Sequence, residues 1–152
     1  MRIIRYAALL LASLAATDAA AQCADRRVQA ELAEMRGELQ GASLDCTVAA
    51  RGDLDGDGAR DAVLLLSYEG MGGGNNWGSF LYVLLADRSA PLLEEPEAER
   101  GPIDSVTVAG REVRVRTLEY RDGDGRCCPS GRDAFALRVE ERRLVRVPVR
   151  GW

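Results

Sequence analysis

The sequence predicts an α+β domain in which an N-terminal amphipathic helix packs on a mostly antiparallel β-meander of six or seven strands. Three observations lead there. Apolar residues recur at helical spacing once, near the start of the chain. Later segments either alternate apolar with polar residues or run apolar throughout, as strands do. Glycine-rich or charge-rich turns separate those segments. At 152 residues the chain has room for one domain with a real core, and residues 22–152 are expected to form it.

Residues 1–21 read as a secretory signal peptide. Met1 to Arg5 is a positively charged start, Tyr6 to Ala16 is apolar, and Ala19-Ala20-Ala21 supplies an Ala-x-Ala cleavage signal before Gln22. The apolar run is well short of the ~20 residues a membrane-spanning helix needs, so no transmembrane segment is expected. Cys23 lies just past the cut, but Gln22 before it is not the small residue that lipid anchoring requires. A periplasmic or secreted chain follows. Losing Arg2, Arg5 and Asp18 with the signal moves the formal charge from −4 to −5. An acidic chain without a basic stripe offers nothing to nucleic acid or anionic lipid.

Composition also removes whole classes of chemistry. The chain contains no His, and all 20 basic residues are Arg. Ser-His-Asp and Cys-His catalysis, lysine Schiff bases and His-containing zinc sites are therefore excluded. Carboxylate, thiol or metal-ion chemistry remains. The four cysteines, Cys23, Cys46, Cys127 and Cys128, are an even number in an exported chain and read as disulfides.

In chain order, Val28, Leu32, Met35 and Leu39 mark one face of a helix from Asp25 to about Gln40, with Asp25 as N-cap. Leu44 to Ala50 alternates as a short strand. Ala62 to Tyr68 and Phe80 to Ala86 are apolar on both faces and so central. Ser89 to Pro102, with three prolines and Glu94, Glu95, Glu97 and Glu99, reads as an exposed connection. Val106 and Val108 alternate towards Ala109-Gly110, and Val113 and Val115 alternate away from it, which predicts a hairpin. Phe135 to Val139 and Leu144 to Val149 complete the strands.

The most informative stretch is Asp53-Leu-Asp55-Gly-Asp57-Gly58-Ala59-Arg-Asp61, four carboxylates that need a cation. It reads as a calcium loop. Asp53, Asp55 and Asp57 supply side-chain oxygens, Gly58 the turn, Ala59 a backbone carbonyl and Asp61 a closing carboxylate. An EF-hand would need Glu at the twelfth position and a helix after it; here that position is Leu64, in a predicted strand. The pattern D-x-D-x-D-G-x-x-D followed by a strand instead resembles the calcium loops of FG-GAP (integrin-type) and VCBS-type extracellular repeats. That resemblance implies Ca²⁺ in preference to Mg²⁺, at a single loop and without a propeller.

Two further stretches complete the site residues. Adjacent Cys127 and Cys128 form a ring between themselves only with strain, and a ~24 Å helix separates Cys23 from Cys46. Crossed pairing of Cys127 and Cys128 with Cys23 and Cys46 is therefore favoured, with the vicinal bond as the alternative. Gly72-Gly73-Gly74-Asn75-Asn76-Trp77 offers two amides and a stacking platform, and Asn75, Asn76 and Trp77 are possible ligand-binding residues. The order of acidic loop, GGGNNW and a D-x-x-C-C-P-S segment resembles small secreted bacterial proteins of uncharacterised function.

Together these readings predict an exported, monomeric, calcium-binding, disulfide-stabilised module without catalytic activity, acting on a protein or an envelope glycan. The alternatives are a carboxylate-dependent envelope glycan hydrolase and an inhibitor of a hydrolase that inserts the Gly-rich loop.

Overall fold

Asp25 starts the long helix. Its carboxylate accepts from the Arg27 N–H at 2.9 Å and so satisfies a donor that has no partner inside the helix. Helix α1 spans Arg26–Glu38 and buries Val28, Leu32 and Met35. Residues 18–23 are also helical. The structure is a computed structural model that describes residues 18–74, 76–95, 102–125 and 128–149. Most of the expected signal peptide, residues 1–17, lies outside them.

Eight strands follow, in chain order: β1 Ser43–Gly52, β2 Asp61–Glu69, β3 Trp77–Leu84, β4 Leu93–Glu94, β5 Ile103–Ala109, β6 Glu112–Glu119, β7 Gly131–Glu140 and β8 Arg143–Val147. They do not form one meander. The first four make one sheet in the order β1-β2-β3-β4, the last four another in the order β5-β6-β7-β8, and every neighbouring pair is antiparallel. The expected α+β fold, a helix on a single six- or seven-stranded meander, is thus corrected to a mostly-β fold of two four-stranded sheets.

The reason lies in β2 and β3, whose two faces are both apolar. Ala62, Leu64, Leu66, Tyr82 and Leu84 share one buried cluster with Val28, Leu32 and Met35 of α1. Val63, Leu81 and Val83 on the opposite face share another with Val113, Val115, Phe135 and Leu137 of the second sheet. One helix cannot cover two faces. The chain answers by folding its second half into a separate sheet that covers the other face, and the break falls between β4 and β5.

The connection ahead of that break also departs from expectation. It was expected to be exposed, yet Ala90, Leu93 and Glu95 are buried and Leu93–Glu94 forms β4. Glu95 is 3% exposed, and its carboxylate accepts from the Arg146 Nε at 2.9 Å. The Arg146 guanidinium also lies over the Phe135 ring at 3.9 Å. An acidic side chain beside prolines looks solvated in sequence; here a half-buried arginine from the other sheet neutralises it. Arg27 makes a comparable tie, donating to the carbonyls of Leu85, Asp87 and Ala90 and so fixing the start of α1 against the segment after β3.

The crossed disulfide expectation is overturned as well. Cys23 bonds Cys46 directly, with Cα atoms 5.9 Å apart. The helix ends early, at Glu38, and the chain then returns as a strand that advances about 3.3 Å per residue against 1.5 Å in the helix. A few extended residues therefore retrace the helix. Cys128 is disulfide-bonded too, and Cys127 lies outside the described residues.

Candidate metal centre

The acidic loop connects β1 to β2 and is fixed at its base. Leu54 is 1% exposed and belongs to the core between the sheets, so burial anchors the second loop residue. Asp61, the first residue of β2, is equally buried. Its Oδ2 accepts from the Leu54 N–H at 2.7 Å and its Oδ1 from the Ala86 N–H at 2.9 Å. One carboxylate thus ties the loop to the end of β3. Burial pushes the Asp61 carboxyl above the ordinary carboxylate value; the two N–H donors oppose this, and the nearby charges of Asp55 and Asp57 add to it.

Above this base the chain folds back on its own carboxylates. Asp53 accepts from the Gly56 and Gly58 N–H groups at 2.7 and 3.1 Å. Asp55 accepts from the Asp57 N–H at 3.1 Å. Gly56 and Gly58 have φ of 87° and 85°, the left-handed region that glycine enters without cost. A cation side chain closes the outside. Arg111, in the turn between β5 and β6, donates from Nε to the Leu54 carbonyl at 3.4 Å and from its terminal nitrogen to the Asp55 carbonyl. Its guanidinium lies 2.8 Å from where a Cβ on residue 56 would stand, but that is the movable end of a long side chain, so it is the positive φ that calls for glycine at position 56.

These contacts bring ligand oxygens of Asp53, Asp55 and Asp61 within 4.8 Å of one another. Donors held 2.3–2.6 Å from one calcium ion lie at most ~5 Å apart, so three of the expected carboxylates fit a single hard-cation shell. Asp57 is exposed, stands outside this trio of side chains and accepts from the Ala59 N–H at 2.7 Å. The set could hold a metal ion.

The remaining sequence-selected residues lie elsewhere. Trp77 opens β3 at the far end of the sheet, with its side chain 51% exposed, and Asn76 precedes it on the surface. Asn75 lies outside the described residues. In the D-x-x-C-C-P-S segment, the Asp124 carboxylate accepts from the N–H groups of Arg121 and Ser130 at 2.7 and 2.8 Å and from the Ser130 hydroxyl at 3.2 Å. The carboxylate and the serine of that segment therefore close one loop. Sequence reasoning missed Arg111 and the structural duty of Asp61. An arginine next to a hairpin glycine carries no signal of its target, whereas an acid that begins an apolar strand is a signal that could have found the buried role of Asp61.

No family model, no curated protein and no solved structure matches this chain.

Proposed function

We propose that this is an exported calcium-binding module, stabilised by disulfides, with a non-catalytic binding or structural role in the cell envelope. The observation that carries the reading is the convergence of Asp53, Asp55 and Asp61 on a loop whose base is buried. Calcium suits that donor set, because several carboxylates on a turn-rich loop match a large cation with loose geometric demands. The FG-GAP-like spacing agrees with that choice. When bound, the ion neutralises carboxylates that otherwise repel one another, and it secures the start of β2 between helix and second sheet. Export is supported by the Cys23–Cys46 disulfide, which belongs to an oxidising compartment, and by the signal-like residues 1–21. Among the described residues no helix is long and apolar enough to cross a membrane.

The test is thermal unfolding of the chain from residue 22 with calcium, with magnesium and with chelator. Calcium at a hundredfold excess over Kd should stabilise by about 2.7 kcal/mol, a shift of several degrees in Tm. Asp53→Asn and Asp55→Asn should each abolish the shift while leaving the chelated melting curve nearly unchanged. Identical melting of the parent protein with and without chelator refutes the reading.

A further inference from the structure

At the opposite end of β2 from the acidic loop, a cleft of about 390 Å³ is lined by Ser43, Glu69, Gly70, Gly74, Asn76 and Trp77. We propose that this cleft binds a glycan of neutral or amino sugars, with Trp77 as the stacking platform. The strand register builds the surface. Ser43 pairs with Glu69 and Glu69 with Trp77, so the three lie in one cross-strand row on one face of the sheet. Asp45, Ser67 and Ser79 form the next row on that face. Further along the same face, Leu81, Val63 and Val83 enter the core under the second sheet. The second sheet covers the apolar rows and leaves the polar ones open: Ser43, Asp45, Glu69 and Trp77 are exposed.

The arrangement has the chemistry a sugar ring requires. A pyranose presents a C–H face that packs on an aromatic ring, and vicinal hydroxyls that both donate and accept. The half-exposed indole supplies the first contact. Glu69, Asn76 and the serine hydroxyls supply the second, and among the described residues no side-chain hydrogen bond or ion pair occupies Glu69 or Ser43. Charge selects among glycans. Asp45 and Glu69 are acidic and no arginine lines the cleft, so phosphates, nucleotides and uronates are repelled while neutral and amino sugars are admitted. The volume falls near the lower end of the ~300–1,000 Å³ of small-molecule sites, which suits one or two sugar rings.

The rim is held in place without a ligand. The Gly70 N–H donates to the Asn76 carbonyl at 2.8 Å, and the Gly72 N–H to the Gln40 carbonyl at 3.1 Å. On the reverse face the Tyr68 ring covers Gly78, where a Cβ would come within 2.7 Å, and Tyr68 stacks on Phe80 at 6.0 Å between centroids. These contacts fix the strand that presents Trp77. This inference rests on the non-catalytic binding role proposed above but not on the calcium loop, which lies at the other end of β2.

The test is titration of the chain from residue 22 with β-linked N-acetylglucosamine and glucose tetramers, chitosan oligomers and uronic-acid oligomers. Binding is followed by calorimetry and by fluorescence in a Trp152→Phe background that isolates Trp77. Neutral or amino sugars should bind, with release of none and hydrolysis of none, and uronates should not. Trp77→Ala should weaken binding tenfold or more without lowering Tm, and Trp77→Phe should recover part of it. Binding should persist in chelator, so loss of the calcium response leaves this site standing. Equal binding by Trp77→Ala, equal binding of uronates, absence of binding across the panel, or Trp77-dependent binding of unglycosylated peptides instead would each overturn it.

Discussion

Asp-Gly-Asp-Gly occurs twice in this chain, at Asp55–Gly58 and at Asp122–Gly125, and the two copies do different things. In the first, three carboxylates converge over a base formed by buried Leu54 and buried Asp61. In the second, Asp124 works alone: it accepts from Arg121 and Ser130 and closes a surface turn. Both turns use backbone N–H groups to hold carboxylates. The difference comes from the flanks. Asp53 and Asp61 add ligands on either side of the first copy, Leu54 anchors it in the core, and Arg111 from the other sheet braces it. A cation-sized carboxylate cluster is thus a property of the anchored flanks and not of the acidic turn.

The largest effect that separates the two turns should follow from the anchor. Leu54→Ala removes a fully buried side chain from the core between the sheets and should cost roughly 2–5 kcal/mol, read from the urea midpoint. A change below about 0.5 kcal/mol would show that the loop holds its shape without the core. Arg111→Met comes next. It deletes hydrogen bonds to the Leu54 and Asp55 carbonyls and should cost about 1 kcal/mol in chelator, seen as a lower Tm for the metal-free protein. An unchanged Tm would make the brace incidental.

The smallest effect belongs to the second turn, where Asp124→Ala should lower Tm slightly at neutral pH and leave the calcium response intact. The hydrogen bonds from Arg121 and Ser130 hold the folded Asp124 carboxyl below its ordinary value of 3.8. A depressed folded pKa means that the stabilisation is present above 3.8 and is lost as pH falls through the lower folded value. Parent and variant should therefore converge in Tm at strongly acidic pH. A gap that persists there would assign the loss to something other than the carboxylate.

Much of this was written locally. Asp25 as cap, the apolar stripe of α1, the strands on either side of Gly110 and the carboxylates at 53, 55 and 61 all reflect short-range chemistry that spacing reveals. Asp57 shows the limit of spacing. It has the spacing of a ligand, yet it stands outside the trio of Asp53, Asp55 and Asp61 and accepts from the Ala59 N–H at 2.7 Å. Cys23 and Cys46 show another: their pairing depends on where the helix stops and how far the following strand runs back. Glu95 shows a third, since its burial depends on Arg146, 51 residues away.

By itself the sequence determined the elements other than β4, the acidic turn, the exclusion of histidine and lysine chemistry, and the two apolar faces of β2 and β3. Each follows from local geometry: a period of 3.6 or 2, a residue that accepts positive φ, or a side chain that is absent. Only the tertiary structure decided that eight strands divide into two sheets, that the second sheet covers Leu81 but stops short of Trp77, and that Arg111 meets the acidic loop. Those outcomes depend on which surfaces remain to be buried once the local elements have formed. Burial is nondirectional, so no run of neighbouring residues records what will cover it.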